Sequence, residues 1–359
     1  MSSAIPETMQ ALRVPKAGVS HYSLETIPVP KATDTKVLLK LGASGLCHTD
    51  LMVLEGTWGG VYPLVGGHEP AGTVVALGDE AEKTDKVKLG DRVAALLPKD
   101  PCAKAGECPD CKLDWKFCPN IKFGGIDADG FFSEYALVEA NHCVVLPDSM
   151  SFEQAAPLTC AGVTIYTAIK RANLKPGQII AISGLGALGY LGVQFAKALG
   201  LKVVGVDARP EPIDSAKKLE LAPNLIVDVS KTGAEEAKKE IGRLREDGYV
   251  GWDGADATIL TTDAPSAQSY AMSLTRSHGQ LIVVALPPEI SINTRALIFS
   301  DITITGSLHG NEHDLKETID LADKFGIKSD LSTFRIEEHE RMVDSVHEAG
   351  RKGKNVLVF

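Results

Sequence analysis

The sequence predicts an α/β chain of two domains, one a mostly antiparallel β domain and the other a doubly wound parallel sheet. Three observations carry this. The length, 359 residues, exceeds what one ordinary core supports. From Gln10 to about Leu158 short apolar runs alternate with turn residues, and long amphipathic periods are few. From Cys160 to about Leu308 strand-like runs alternate with helical periods, the texture of a parallel sheet.

In the first half, residues 36–41 (Lys-Val-Leu-Leu-Lys-Leu) and 73–77 (Thr-Val-Val-Ala-Leu) read as strands. Gly90-Asp91-Arg92-Val93 reads as a turn feeding another. In the second half, residues 178–183 form a continuous apolar run, as expected of a strand buried on both faces. Residues 190–199 carry apolar side chains at helical spacing, and 202–207 is the next strand. Further strands are expected at 225–229, 257–262, 280–286 and 302–308. The tail is read as helices at 314–325 and 339–348 with a closing strand at 355–359.

Composition excludes several classes of function. Net charge is −10, from 37 basic and 47 acidic residues, with no basic run interleaved with aromatics, so nucleic acid is not an expected partner. No stretch approaches ~20 uninterrupted apolar residues, which argues against a membrane span. The first 14 residues have no long apolar block and only Arg13 as a positive charge, so no leader is expected and the cytoplasm is the expected location. Of the seven cysteines, four crowd between positions 102 and 118, a spacing better suited to metal thiolates in a reducing compartment than to disulfides.

Gly184-Leu185-Gly186-Ala187-Leu188-Gly189 follows an expected strand and opens an expected helix. In that context the glycines permit a tight turn, close approach of backbone to a pyrophosphate, and packing of helix on strand. Helix N-terminal amides then face the phosphate charge. Asp207 lies 18 residues after Gly189, at the end of the second strand. A carboxylate there accepts from an adenosine ribose and repels a 2′-phosphate, which favours NAD over NADP. Arg209 works against that preference, because a guanidinium beside the ribose accommodates the phosphate.

The stretch around which the first half is organised is Gly67-His68-Glu69-Pro70-Ala71-Gly72, with Gly45-Leu46-Cys47-His48-Thr49-Asp50 upstream and Cys160 downstream. Two thiolates and an imidazole can close three corners around Zn²⁺ and leave the fourth open, as a catalytic zinc requires. Gly67-His68-Glu69, two residues, Gly72, five residues, Gly78 resembles the signature of zinc-dependent alcohol dehydrogenases of the medium-chain dehydrogenase/reductase superfamily, and the resemblance runs over nearly the whole chain.

That resemblance implies a GroES-like catalytic domain, residues 1–161 and 309–359, made discontinuous by the returning tail, and a Rossmann dinucleotide-binding domain, residues 162–308. It implies Cys47, His68 and Cys160 as ligands of a catalytic zinc, Glu69 as an alternate ligand, and Asp50 as the carboxylate that orients His68. It places His48 against the pyrophosphate, Thr164 at the nicotinamide, and the backbone near Val284, Leu286 and Ser307 at the carboxamide. Lys354 stands where the family usually has Arg, so a bidentate phosphate contact would become a point charge. Thr49 would begin a proton relay. Met52 stands where many relatives have the His that ends that relay, and Met transfers no proton; either the cofactor ribose hands the proton directly to water, or another residue takes over, His48 being the nearest.

Thr49, Trp58, Leu97 and Leu286 would line the substrate pocket. Trp58 resembles a Trp that narrows the site toward short alcohols, whereas Leu97 replaces a frequent large aromatic, so substrates longer or bulkier than ethanol are expected. Cys102, Cys108, Cys111 and Cys118 would close a four-thiolate structural zinc site. Their first interval, through Ala103-Lys104-Ala105-Gly106-Glu107, is three residues longer than in the family pattern and their last is one shorter. Cys143 has no partner in the pattern and is expected to pack.

The expected activity is a reversible NAD-dependent oxidation of a primary or secondary alcohol to an aldehyde or ketone, by a homodimer or homotetramer carrying zinc. A zinc polyol or other specialised dehydrogenase is the near alternative. A zinc-free reductase is disfavoured by the Cys47, His68, Cys160 set.

Overall fold

In the computed structural model, residues 4–99, 102, 108–246, 252–348 and 353–359 are described. The chain divides into two compact units, residues 1–160 with 310–323 and 329–359, and residues 161–309 with 324–328.

The strands, in chain order, begin with β1 (Thr8–Val14), β2 (Ser23–Pro28), β3 (Lys36–Gly45), β4 (Leu64–Val65), β5 (Glu69–Leu77), β6 (Arg92–Ala95), β7 (Pro98–Lys99), β8 (Lys122–Phe123), β9 (Tyr135–Glu139) and β10 (Cys143–Val145). They continue with β11 (Ile179–Ser183), β12 (Lys202–Asp207), β13 (Leu225–Asp228), β14 (Ala255–Leu260), β15 (Thr275–Val283) and β16 (Thr303–Gly306), and end with β17 (Leu331–Arg335) and β18 (Lys354–Val358).

In the first unit the main sheet runs β10-β6-β5-β3-β18-β17, with β9 also on β3, beside a smaller sheet β2-β1-β4. Its pairings are antiparallel except β17 with β18. The alternation of apolar residues in β1 and β3 puts Leu12, Val14, Val37, Leu39 and Leu41 into one core with Val93, Phe131, Phe132 and Leu357.

The second unit is a six-stranded sheet in the order β13-β12-β11-β14-β15-β16, parallel throughout. Counted within the unit this is 3-2-1-4-5-6, so the order reverses between β11 and β14, where a doubly wound sheet opens its binding crevice beyond the strand ends. Residues of β11 and β14 are buried along their whole length, which explains their unbroken apolar runs.

The expected fold class is observed, with local differences. β15 starts at Thr275 and ends at Val283, three residues before the expected 286, because Val284 and Ala285 turn their N–H groups onto Leu260 O and Pro287-Pro288 cannot extend a ladder. β17 was not expected. It is an edge strand in which Phe334 alone is fully buried, so it carries little apolar pattern. Among the described residues no helix is long and apolar enough to cross a membrane.

Candidate metal centre and dinucleotide turn

Two strand pairings assemble the metal centre. β3 pairs with β5 on one side and β18 on the other, and the registers set Gly45 opposite both Glu69 and Val356. Cys47 and His68, on either flank of this register, arrive at the same end of the sheet, while Cys160 follows the short helical turn Ala156–Thr159. The Cys47 and Cys160 sulfurs, a His68 ring nitrogen and a Glu69 carboxylate oxygen all lie within 4.8 Å of one another.

Asp50 sets the orientation. It sits in the first turn of the helix His48–Glu55, where its Oδ1 accepts from His68 Nδ1 at 2.9 Å and its Oδ2 from the Cys47 N–H at 2.8 Å. One buried carboxylate thereby turns His68 Nε2 toward the cluster and ties down the start of the helix that carries Cys47.

The centre's electrostatics fit a divalent cation. The hydrogen bond between the two thiols holds Cys47 well below the usual thiol range, against burial and with help from Lys354 and His68, while the same contact and burial push Cys160 up. Burial disfavours the charged form of His68, but Asp50 and Cys47 outweigh it and raise its pKa. A bound Zn²⁺ displaces the protons that thiol and imidazole ligands otherwise carry.

Lys354, whose expected contact is a phosphate, has a side chain 4% exposed that donates to Glu69 Oε1 at 2.6 Å, inside the metal centre. The reason is register, since β18 lies against β3 and brings Lys354 to the first residue of β5. Burial opposes the ammonium charge, but Glu69, Cys47 and Cys160 outweigh it and raise the pKa. Burial pushes Glu69 up to about 7 against the pull of Lys354.

Lys354→Met is accordingly expected to cost about 3–5 kcal/mol of stability by stranding Glu69, read from the denaturant midpoint. Glu69 keeps its proton in the folded chain below about 7 with or without Lys354, and loss of Lys354 raises its pKa further, so the deficit should grow as pH rises above 7. A deficit below about 1 kcal/mol at every pH would show that Glu69 does not rely on Lys354.

The four cysteines of the lobe also converge, their sulfurs within 4.8 Å of one another. Cys102 and Cys118 lie 3.4 Å apart, and N–H groups of Asn120 and Cys111 donate to Cys102 and Cys108 at 3.2 and 3.3 Å. Such donors stabilise thiolates, and four of them suit a closed tetrahedral zinc. Between them Trp115 stacks on His142 at 4.2 Å and donates to Glu312 at 2.9 Å, docking the lobe on its unit. The longer interval Ala103–Glu107, with Gly106, lies outside the described residues. Cys143 is not part of either cluster and donates to Glu139 O at 3.4 Å.

In the second unit the glycine turn has the shape its spacing predicts. Gly184 takes φ +104°, and a Cβ at Gly189 would stand 1.8 Å from Gly184 O. The helix Ala187–Ala198 starts from the turn. Thr261 Oγ1, at the end of β14, donates to Gly184 O at 2.8 Å and pins it, a contact that only the strand order β11-β14 reveals. Beside the turn opens a cavity of about 490 Å³ bounded by Asp207, Arg209, Thr262, Ser266 and Tyr270. The turn, helix start and cavity together can hold a dinucleotide.

The remaining expected residues are placed as follows. His48 is exposed and Thr49 half-buried in the first turn of their helix, and Met52 is half-buried one turn on. Trp58 is 39% exposed and Leu97 is buried in the core of the first unit. Thr164 is half-buried in the helix Ala161–Arg171. Val284 and Ser307 donate their N–H groups to Leu260 O and Val283 O, and Leu286 is exposed.

Comparison with known proteins agrees with this geometry. Residues 33–148 match the alcohol dehydrogenase GroES-like domain and residues 187–324 the zinc-binding dehydrogenase domain. An alcohol dehydrogenase of a Moraxella species is 33% identical over 94% of this chain and 96% of its own. The chain belongs to the zinc-type alcohol dehydrogenase family.

The protein is an oxidoreductase, of a family that acts on small molecules. Its fold matches acetophenone reductase from Geotrichum candidum, solved in complex with NAD, with a TM-score of 0.83, 28% identity and 99% of each chain covered. It likewise matches a cinnamyl alcohol dehydrogenase from Sorghum bicolor, with a TM-score of 0.83, 25% identity, and coverage of 98% of this chain and 97% of that one.

Proposed function

We propose that the protein is an NAD-dependent zinc alcohol dehydrogenase whose substrates are longer or bulkier than ethanol. The observation that carries the reading is the set Cys47, His68, Glu69 and Cys160 within 4.8 Å, with Asp50 on the far side of His68. Residues 1–161 and 309–359 form the catalytic domain in this reading, and residues 162–308 bind the dinucleotide. The enzyme works in the cytoplasm as a homodimer or homotetramer.

Cys47, His68 and Cys160 would hold a zinc that supplies, when bound, Lewis-acid polarisation of a substrate oxygen, and NAD would supply the hydride acceptor. The chain's own residues do the rest. Asp50 keeps His68 aimed, and Lys354 offsets the negative charge of the two sulfurs and Glu69 without competing for the metal. Thr49 takes the alcohol proton. Because Met52 cannot receive it, the proton passes to water or to His48, whose exposure lets it exchange with solvent. Thr164 and the backbone near Val284, Leu286 and Ser307 orient the nicotinamide, and the Gly184–Gly189 turn holds the pyrophosphate.

The pocket reading rests on Leu97 in place of a large aromatic, and the aryl substrates named for two structural neighbours support it. A panel of alcohols and carbonyls followed by nicotinamide absorbance tests it. Aryl and branched substrates should show kcat/KM about tenfold or more above ethanol, since each extra buried methylene is worth about 1–3 kcal/mol in an apolar pocket. Ethanol as the best substrate would contradict the pocket reading. No nicotinamide reduction with any alcohol would sink the proposed activity.

A further inference from the structure

We propose that Tyr62 is a positioning residue for substrate size, its hydroxyl bracing the loop of residues 56–61 so that Trp58 keeps its place as a wall of the pocket. The inference rests on the reading above that Trp58 and Leu97 line the substrate pocket.

The loop has little stiffness of its own. It leaves the helix His48–Glu55 and runs Gly-Thr-Trp-Gly-Gly-Val, with Gly56, Gly59 and Gly60 at φ +79°, +82° and +152°. Glycine is the least restricted residue, so half of this loop has other conformations open to it. Trp58 is 39% exposed and Val61 62%, so the two large apolar side chains have only part of the burial that would fix them. At the start of the loop the Thr57 and Trp58 N–H groups return to Met52 O at 3.0 and 3.4 Å. These bonds anchor one end.

Tyr62 anchors the other. Its hydroxyl donates to Val53 O, in the helix, at 2.8 Å, and Gly59 O lies 3.4 Å from the same oxygen across the loop. Its ring packs on the core that holds Leu97 and Ile126. Gly60 is pressed against both, since a Cβ there would stand 2.9 Å from Ile126 O and 3.3 Å from Tyr62 Cζ and Oη. One hydroxyl thus ties the helix that carries Thr49 and Met52 to the loop that carries Trp58.

The tie is separable from the fold. A phenyl ring at position 62 would fill the same space, and Val53 O would still accept from the Gly56 N–H at 3.2 Å. Tyr62 belongs neither to the cluster of Cys47, His68, Glu69 and Cys160 nor to the glycine turn, so loss of its hydroxyl should register in substrate shape rather than in metal or dinucleotide binding.

Oxidation of benzyl alcohol and of 2-naphthylmethanol, a wider aryl alcohol, by wild type, Tyr62→Phe, Trp58→Ala and the double variant tests this. Zinc per chain, NAD affinity and thermal midpoint show that each preparation is folded and loaded. The ratio of kcat/KM for the narrow over the wide alcohol should fall about tenfold or more in Trp58→Ala, as expected when an apolar pocket gains room. In Tyr62→Phe it should fall about fivefold, the size of one hydrogen bond between neutral groups. Added to Trp58→Ala, Tyr62→Phe should change the ratio by less than about twofold, because the hydroxyl acts through Trp58. A full effect of Tyr62→Phe in the Trp58→Ala background would overturn the proposal by giving Tyr62 another route to the pocket. An unchanged ratio in Tyr62→Phe, with Trp58→Ala shifted, would overturn it too and leave the pocket reading standing. An unchanged ratio in Trp58→Ala would remove Trp58 from the pocket, and the proposal with that reading.

Discussion

Cys47→Ser, His68→Ala and Cys160→Ser should each abolish alcohol oxidation, by about 10³-fold or more, while dinucleotide affinity stays within about twofold of wild type. The magnitude follows from losing a Lewis acid worth several kcal/mol at the transition state. The separation follows from the fold, since the cluster Cys47, His68, Glu69 and Cys160 belongs to the first unit and the turn Gly184–Gly189 to the second. Each variant should lose zinc from the catalytic centre and keep it in the lobe of Cys102, Cys108, Cys111 and Cys118. Metal content, dinucleotide titration and turnover measured on the same preparations decide the matter. Loss of nucleotide binding in all three, with unfolding, would assign these residues to structure. An active Cys160→Ser would remove Cys160 from the metal.

Gly189→Ala gives the mirror image. A methyl group at this position would stand 1.8 Å from Gly184 O, and Gly184 has no freedom to yield because Thr261 Oγ1 and a φ of +104° fix it. The helix Ala187–Ala198 must then move off β11, and its first amides move with it. Affinity for NAD should fall about 100-fold or more while zinc content is unchanged, because several charge-assisted contacts to the pyrophosphate are lost together. Retained affinity at an unchanged thermal midpoint would show that this turn does not cradle the phosphates.

What could be read in the sequence, and what could not, follows from how far apart the interacting residues lie. β11 and β14 were legible because burial on both faces leaves an unbroken apolar run. The glycine turn was legible because its three requirements are local and only glycine meets them. Both cysteine and histidine sets were legible as residue types, with Asp50 at a position the family resemblance singled out.

The partner of Lys354 was not legible. The meeting with Glu69, 285 residues earlier, depends on β3 lying between β5 and β18, and no local pattern encodes that order. Thr261 escaped notice for the same reason, since its task depends on β14 being the neighbour of β11. β17 escaped because an edge strand needs only one buried side chain. The pairing of Asp207 with Arg209 lies between these cases. The two are two residues apart, yet only the geometry shows Arg209 Nε and Nη2 donating to the Asp207 carboxylate.

The most direct test of the account is to follow nicotinamide absorbance with an aryl alcohol and NAD while zinc is stripped by a chelator and then returned, with metal counted per chain. The two clusters predict two zinc ions per chain in the intact enzyme. Activity should vanish as the ion at Cys47, His68 and Cys160 leaves, and zinc alone should restore it. Full turnover by metal-free protein, or none by protein carrying both ions, would contradict the account.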